Sequence, residues 1–329
     1  MAPELVLVVG ECLVDLAPDD ASQPASGPRR YSALPGGGPA NAAVGLARLG
    51  VGTGFAGRFA AEGFGPWLRE HLLSNGVDLS FSVGAMEPAT LAVVVLDGAG
   101  RASYTFYGPE TADWQWSVGE LPQVTGRFGA VHTGSLVATF EPGASVLAGW
   151  LESVRSAGEA VVSLDPNVRR GLISDPGAYR ERLERLASCA HIVKASDEDL
   201  AAVYPGEEVE AVAGAWLSKG AALVVVTEGE WGATAFHASG QRSSWAPPAV
   251  EVADTIGAGD AFSAALLARF AEEGSLNPAG IFDLGKDDLD LALRQAVAAS
   301  AFTCTRPGAD PPTSGELDEF LRSAPPTLR

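Results

Sequence analysis

Apolar residues gather in short runs at positions 5–9, 130–132, 160–164, 192–193 and 222–226, with only His132 and Ser163 polar among them. Runs of this length without polar alternation predict strands buried on both faces, as inside a parallel sheet. Between them the spacing becomes helical and predicts helices over 40–49, 64–75, 144–157, 178–187, 209–218, 261–273 and 289–302. Gly50 and Gly76 follow two of these segments, where glycine commonly stops a helix. Strands alternating with helices predict a three-layer α/β fold with a mostly parallel central sheet.

Two stretches break this rhythm. Residues 13–34 are rich in Pro, Ser and Asp with short apolar pieces. Residues 91–107 predict a hairpin that turns at Asp97-Gly98-Ala99-Gly100, since Asp-Gly between apolar runs is a strong hairpin signal. Its second strand puts Ser103 and Thr105 on one face and Tyr104 and Phe106 on the other. Inserted in an α/β chain, the hairpin 91–107 fits a lid and a plain edge hairpin equally well. The tail 325–329 is expected to fray.

Composition narrows the function classes. A chain of 329 residues, 47% hydrophobic and 19% charged, has the make-up of a compact protein with a full core. Its net charge of −19 repels nucleic acid and anionic lipid, so neither is an expected partner. The same charge repels a nucleotide at long range. A nucleotide site must then rely on local N–H groups, a few basic residues and a metal ion. Cys12, Cys189 and Cys304 lie far apart without CxxC spacing, which fits a reducing cytoplasm better than disulfides or zinc. The residues Met1-Ala2-Pro3-Glu4 form no basic leader, and the apolar run after them is too short for a signal or membrane segment.

The stretch Asp254-Thr255-Ile256-Gly257-Ala258-Gly259-Asp260 carries the most chemistry. A Gly-Ala-Gly turn runs into an apolar small-residue segment and reads as a loop opening a helix. Free amides at a helix start attract anions, and glycine lets backbone approach a ligand. Asp260 places a carboxylate in this anion-holding site. That combination suits a base that takes a hydroxyl proton while the turn offsets charge on a transferring phosphoryl group. The alternative is an ordinary helix cap with an acidic first turn. A second run, Gly36-Gly37-Gly38-Pro39-Ala40-Asn41, brings bare backbone toward a ligand, with Asn41 offering a donor and an acceptor to sugar hydroxyls. No GxxxxGK[ST] loop occurs, and Phe262 stands where a dinucleotide fingerprint needs its third glycine.

Residues 36–50 and 254–266 resemble the two glycine-rich signatures of the ribokinase (PfkB) sugar kinases. Gly10-Glu11 with Asp15, Asp165-Pro166-Asn167-Val168-Arg169, Lys194 to Asp199, Thr227-Glu228-Gly229 with Gly232, and Arg306-Pro307-Gly308-Ala309 extend the resemblance along the chain. Within the family the pattern is most similar to bacterial fructokinases. The resemblance implies ATP-dependent phosphorylation of a sugar primary hydroxyl, with O6 of fructose the expected acceptor. It implies Asp260 as the base and the amides of Gly257, Ala258 and Gly259 as the anion hole. Asp15, Gly37, Gly38 and Asn41 would hold the sugar, Arg169 would touch the sugar or the phosphates, and lid segments 13–34 and 91–107 of a single domain spanning 1–329 would close over it as a small β lid. Phe106 fits the sugar face and the lid core equally well. Lys194, Ser196, Thr227, Gly229 and Gly232 match nucleotide-side positions. Glu198 or Asp199 would order Mg²⁺ through water, and Asp254 with Ile256 would form a monovalent-cation loop, usually for K⁺. Pairing through lids, as a homodimer, is the default the family implies.

The chain departs from the family at three places. Ser196-Asp197-Glu198-Asp199 replaces Asn-x-x-Glu, which leaves the magnesium carboxylate open. Ala60-Ala61 replaces a Gly-Asp pair. Leu13 replaces a polar residue of ribose-specific members, which argues against ribose. A 2-keto-3-deoxygluconate kinase remains an alternative, with Arg169 or Arg101 for the substrate carboxylate. Outside the class stands a non-catalytic sugar-binding protein, against which the intact Asp260 argues. His132, Trp114 and Trp116 read better as core residues than as functional ones.

Overall fold

The computed structural model of the protein describes residues 5–19, 27–96 and 102–329. The turn expected at 97–100 and Arg101 lie outside them. The chain opens with β1 (Leu5–Val9), β2 (Leu13–Pro18), β3 (Tyr31–Gly36), α1 (Gly38–Arg48), β4 (Thr53–Ala56) and β5 (Arg58–Ala60). It continues with α2 (Gly65–Ser74), β6 (Val83–Ala85), β7 (Leu91–Leu96), β8 (Ala102–Tyr107), β9 (Phe128–Gly134), α3 (Gly143–Ala157) and β10 (Val161–Asp165). Next come α4 (Pro176–Cys189), β11 (Ile192–Ser196), α5 (Asp197–Val203), α6 (Val209–Ser218), β12 (Leu223–Thr227), β13 (Ala233–His237) and β14 (Arg242–Ala246). The last elements are α7 (Ala258–Glu272), α8 (Pro278–Phe282), α9 (Lys286–Thr303), α10 (Ser314–Ser323) and β15 (Thr327–Leu328).

Among the described residues, nine strands form the central sheet in the order β15-β14-β13-β12-β11-β10-β9-β1-β4. The pairs from β4 to β12 are parallel, and β13, β14 and β15 add an antiparallel edge. The apolar runs are explained by burial on both faces. Val6 and Val8 of β1 pack with Leu46 of α1, Phe262 and Leu266 of α7 and Leu293 of α9. Leu7 and Val9 of the same strand pack with Leu151 of α3, Leu183 of α4 and Val212 of α6. Helices therefore cover both sides, as the three-layer expectation required.

The two irregular segments meet in a separate four-stranded sheet, β3-β2-β7-β8, with β2 pairing antiparallel to β3 and parallel to β7. Leu13, Ala92, Trp114 and Leu136 form its own small core where it joins the main body, with Phe140 packed edge-on to Trp114. Trp114 and Trp116 are accordingly core residues.

The tail does not fray, contrary to expectation. Thr327 and Leu328 pair with Ala246 and Trp245, and the Arg329 N–H donates to the Ser244 carbonyl (2.8 Å). An open sheet edge offers unpaired backbone groups, and the tail takes them up.

Candidate active site

A cleft of about 780 Å³ opens at the carboxyl ends of β1, β9, β10 and β11, where open α/β sheets bind ligands, and the inner face of β8 borders it. Each strand delivers a polar residue there as its apolar run stops: Glu11 after β1, Ser135 after β9, Asn167 and Arg169 after β10, and Lys194 within β11. The starts of α1 and α7 complete the rim.

Gly257 caps α7 with φ of 76°, and a Cβ on it would lie 2.6 Å from the Ala309 Cβ, so the turn admits only glycine. Gly257 and Gly259 border the cleft. The Ala258 N–H donates to the Thr255 carbonyl (3.3 Å), so this one of the three amides expected in the anion hole is already committed.

Asp260 sits in the first turn of α7 with 8% exposure and borders the cleft. Burial pushes its carboxyl up to about 6, with Asp165 adding to the rise; Asn41, Lys194 and Arg169 oppose it. Asn41 comes from α1 and donates its amide to Asp260 Oδ2 (2.9 Å). Expected to bind sugar hydroxyls, Asn41 borders the cleft but spends this donor on the acid. Gly37 lets α1 start here: its φ is 105°, and a Cβ would meet the Glu11 carbonyl oxygen at 2.6 Å.

Asp15 on β2 and Gly38 also border the cleft. Burial pushes the Asp15 carboxyl up to about 6, with Arg169 opposing and Asp260 adding. On β8, Tyr104 and Phe106 stack with centroids 6.1 Å apart, and both border the cleft, whereas Thr105 points outward. The period-two pattern had put both rings on one face.

Lys194 is buried and donates to Asp165 Oδ2 (2.8 Å). Burial alone would depress its ammonium, but Asp165, Asp199 and Asp260 together hold it above the ordinary lysine value. Ser196 and Asp199 form a capping box on α5: the Asp199 N–H donates to Ser196 Oγ (3.0 Å), and the Ser196 N–H donates to Asp199 Oδ2 (2.9 Å). Asp199 Oδ1 accepts from the Val168 N–H (2.7 Å). Glu198 borders the same cleft and is exposed.

Some expected residues lie apart from the cleft. Thr227, Gly229 and Gly232 end β12 and form the turn beyond it, off the cleft wall. Asp254 fastens the loop: its Oδ1 accepts from the amides of Thr255 (2.7 Å) and Ile256 (3.0 Å), and its Oδ2 from that of Gly308 (2.9 Å). Ile256 borders the cleft. Glu11, Tyr104, Ser135, Asn167 and Arg170 also border it, beyond the residues expected from the sequence. For Ser135 and Asn167 the usable signal is positional, a polar residue just after a buried strand; position places Glu11 there too but gives it no role.

The family model described as pfkB family carbohydrate kinase matches residues 3–314. The chain belongs to this family. It is 36% identical to a fructokinase of Klebsiella pneumoniae over 301 residues, 91% of this chain and 93% of that one. Its fold superposes on a fructokinase of Xylella fastidiosa with bound ATP at a TM-score of 0.88 and 28% identity, covering 97% and 98% of the two chains. A Vibrio cholerae fructokinase with fructose, ADP and a potassium ion bound gives 0.82 at 29% identity, over 97% and 98%.

In this pfkB kinase the histidine nearest the site is structural. His132 is buried, with Nδ1 3.0 Å from Ser163 Oγ, and burial with Lys194 nearby lowers it to about 4. Among the described residues no group of three or more His, Cys, Asp or Glu is placed to hold a metal ion. No described helix is long and apolar enough to cross a membrane.

Proposed function

We propose that the protein is an ATP-dependent fructokinase that transfers the γ-phosphoryl group to the primary O6 hydroxyl of D-fructose. One observation carries this reading: a buried carboxyl, pushed up to about 6, stands in the first turn of a helix beside two cleft-facing glycines. Near neutral pH Asp260 is ionised and close enough to its midpoint to take a proton from a hydroxyl as the new bond forms. Amides at the start of α7 offset charge on the transferring phosphoryl oxygens. The fructose- and ATP-bearing relatives support the substrate pair.

Asp15, Gly37, Gly38, Arg169 and Phe106 are the proposed sugar contacts, with Asn41 orienting Asp260. Lys194, Ser196, Thr227, Gly229 and Gly232 remain proposed nucleotide-side positions. Magnesium fits as an ion brought in by the nucleotide phosphates, since the described residues offer no ready-made cluster, and Glu198 is the carboxylate free to meet its water shell. Bound there, it would neutralise phosphate charge. Potassium is expected from the Vibrio cholerae relative. Asp254 would serve it only through lone pairs left by three amide hydrogen bonds. The four-stranded sheet is proposed as a lid that excludes competing water.

Arg169 and Arg170 at the cleft keep a sugar acid such as 2-keto-3-deoxygluconate as the second reading. ADP release over fructose, ribose, 2-keto-3-deoxygluconate and adenosine separates the readings. Fructose is expected to give the highest kcat/KM. Preference for the sugar acid overturns the substrate, and turnover of none overturns the enzyme.

A further inference from the structure

Glu11 is a buried acid at the cleft that the proposed chemistry leaves unused. It follows β1 directly, is 1% exposed and borders the cleft. Among the described residues neither carboxyl oxygen meets a hydrogen-bond partner of good geometry, although the Ser135 side chain and Glu11's own N–H lie near enough to favour its ionised form. A Cβ on Gly37 would lie 3.3 Å from Glu11 Cγ, and one on Gly38 would meet Asp260 Oδ1 at 3.1 Å and Ser135 Cβ at 3.3 Å. Glu11, the glycine loop, Ser135 and Asp260 therefore share one close-packed floor. A buried polar group without a partner weakens a fold and calls for a reason, which in natural proteins is often functional.

We propose that Glu11 is a positioning residue for phosphoryl transfer: its unpartnered carboxyl, packed between the glycine loop and Ser135, sets where Gly38 and Asn41 hold Asp260 against the sugar hydroxyl. This rests on the kinase reading of the same cleft. Burial pushes Glu11 up to about 8, with Asp113 and Asp260 adding to the rise. Asp113 faces it from behind, its Oδ1 accepting the Cys12 N–H (3.0 Å) and its Oδ2 the Thr90 hydroxyl. Asp260 faces it from α7. Cys12 adjoins it, and burial pushes that thiol well above its ordinary value. The buried cation of this floor, Lys194, is paired with Asp165.

The neutral acid is thus the form that fits. Ionisation places a second negative charge near Asp260, with no cation among the causes acting on Glu11, and under the proposal the loop shifts. Because the folded value lies above the ordinary 4.5, stability from Glu11 is fully present below about 4.5 and lost as pH rises toward 8. The wild type therefore tolerates a weaker fold at neutral pH to keep this acid.

The test compares wild type, Glu11→Gln and Glu11→Ala in steady-state kinetics with fructose and ATP, with Tm recorded for each. Glu11→Ala is expected to lower kcat/KM for fructose by roughly tenfold or more while KM for ATP moves by about twofold at most. Glu11→Gln copies the shape of the neutral acid and restores part of that loss. Wild-type kcat/KM falls above pH 8, and the Gln variant stays flat through that range and gains Tm over wild type at pH 8. If Glu11→Ala lowers Tm but leaves kcat/KM intact, or if the alkaline fall persists in Glu11→Gln, the positioning role is overturned while the kinase reading stands. Absence of wild-type turnover on every sugar overturns both. Should Glu11→Ala fail to fold, the pH profile of Glu11→Gln decides alone.

Discussion

The floor of the cleft and its rim are both built on carboxylates, and they treat them in opposite ways. On the floor, Glu11 and Asp260 are buried with few partners, Asp15 is half-buried beside them on β2, and burial pushes the three up to about 8, 6 and 6 in the order Glu11, Asp15, Asp260. On the rim, Asp199 and Asp254 are tied by backbone amides: Val168 and Ser196 for the first, Thr255, Ile256 and Gly308 for the second. The amide donors fix the chain around the rim carboxylates, whereas burial disfavours charge on the floor acids and leaves them ready to exchange a proton. Donor number alone does not set the outcome: Asp113, behind the floor, accepts from the Cys12 N–H and the Thr90 hydroxyl, and burial still pushes it up to about 6.

That contrast breaks if the floor and rim acids respond alike to substitution. Asp260→Asn keeps size and removes the base, so kcat is expected to fall by about 10²–10⁴ with ATP affinity little changed, measured by steady-state kinetics and calorimetric titration. Near wild-type turnover would remove Asp260 from the role. Lys194→Met comes next. It leaves the Asp165 carboxylate buried without its cation, and breaking such a pair typically costs about 3–5 kcal/mol, read as a loss of Tm and denaturant midpoint. Adding Asp165→Asn to it should return part of that stability, because the stranded charge is gone. Asp254→Ala is smaller: three amides lose their acceptor at a half-buried site, an expected loss of about 1–3 kcal/mol. A rim acid should cost stability and activity together as the loop loosens. A fall in activity with unchanged Tm would make Asp254 a floor-type acid instead.

The large sheet was legible because its strands are buried twice over, and Leu5–Val9 and the runs at 160–164 and 222–226 show it. The antiparallel edge was not. Arg242–Ala246 carries Ser243 and Ser244 in a half-buried strand, and its pairing depends on β13 and the distant tail. Helix α5 was missed for a related reason. Ser196 and Asp199 stand at capping-box spacing, and their match to nucleotide and metal positions competes with the cap as a reading of the same residues. The positions of Gly257, Asp260 and Gly37 at the cleft were readable because a turn at a helix start fixes them, and that of Asp15 because it follows β1 closely along the chain. Glu11 was not, since its meaning comes from missing partners, a property of packing. Thr227, Gly229 and Gly232 matched a motif, and the motif alone could not place them off the cleft wall.

The finest probe of the contrast is Asn41, because its amide is the donor that keeps Asp260 from behaving as an unpartnered buried acid. That bond favours the charged carboxylate, so it pulls Asp260 down against the rise caused by burial and Asp165. Removing it in Asn41→Leu must raise Asp260 further above 6. The base has to be ionised, so activity is present above its pKa and lost below it. The acid limb of kcat/KM is therefore expected to move upward by up to about one pH unit, equivalent to about 1.4 kcal/mol. Asp15 titrates in the same range, but its shift comes from burial, Arg169 and Asp260, with no bond to Asn41 among the causes, so its share of the limb should stay near 6. A limb that splits, one part fixed and one part raised, assigns the moving part to Asp260. A limb that moves downward would mean that Asn41 stabilises the protonated acid, accepting its proton instead of donating to it, and the donor role of Asn41 would be overturned.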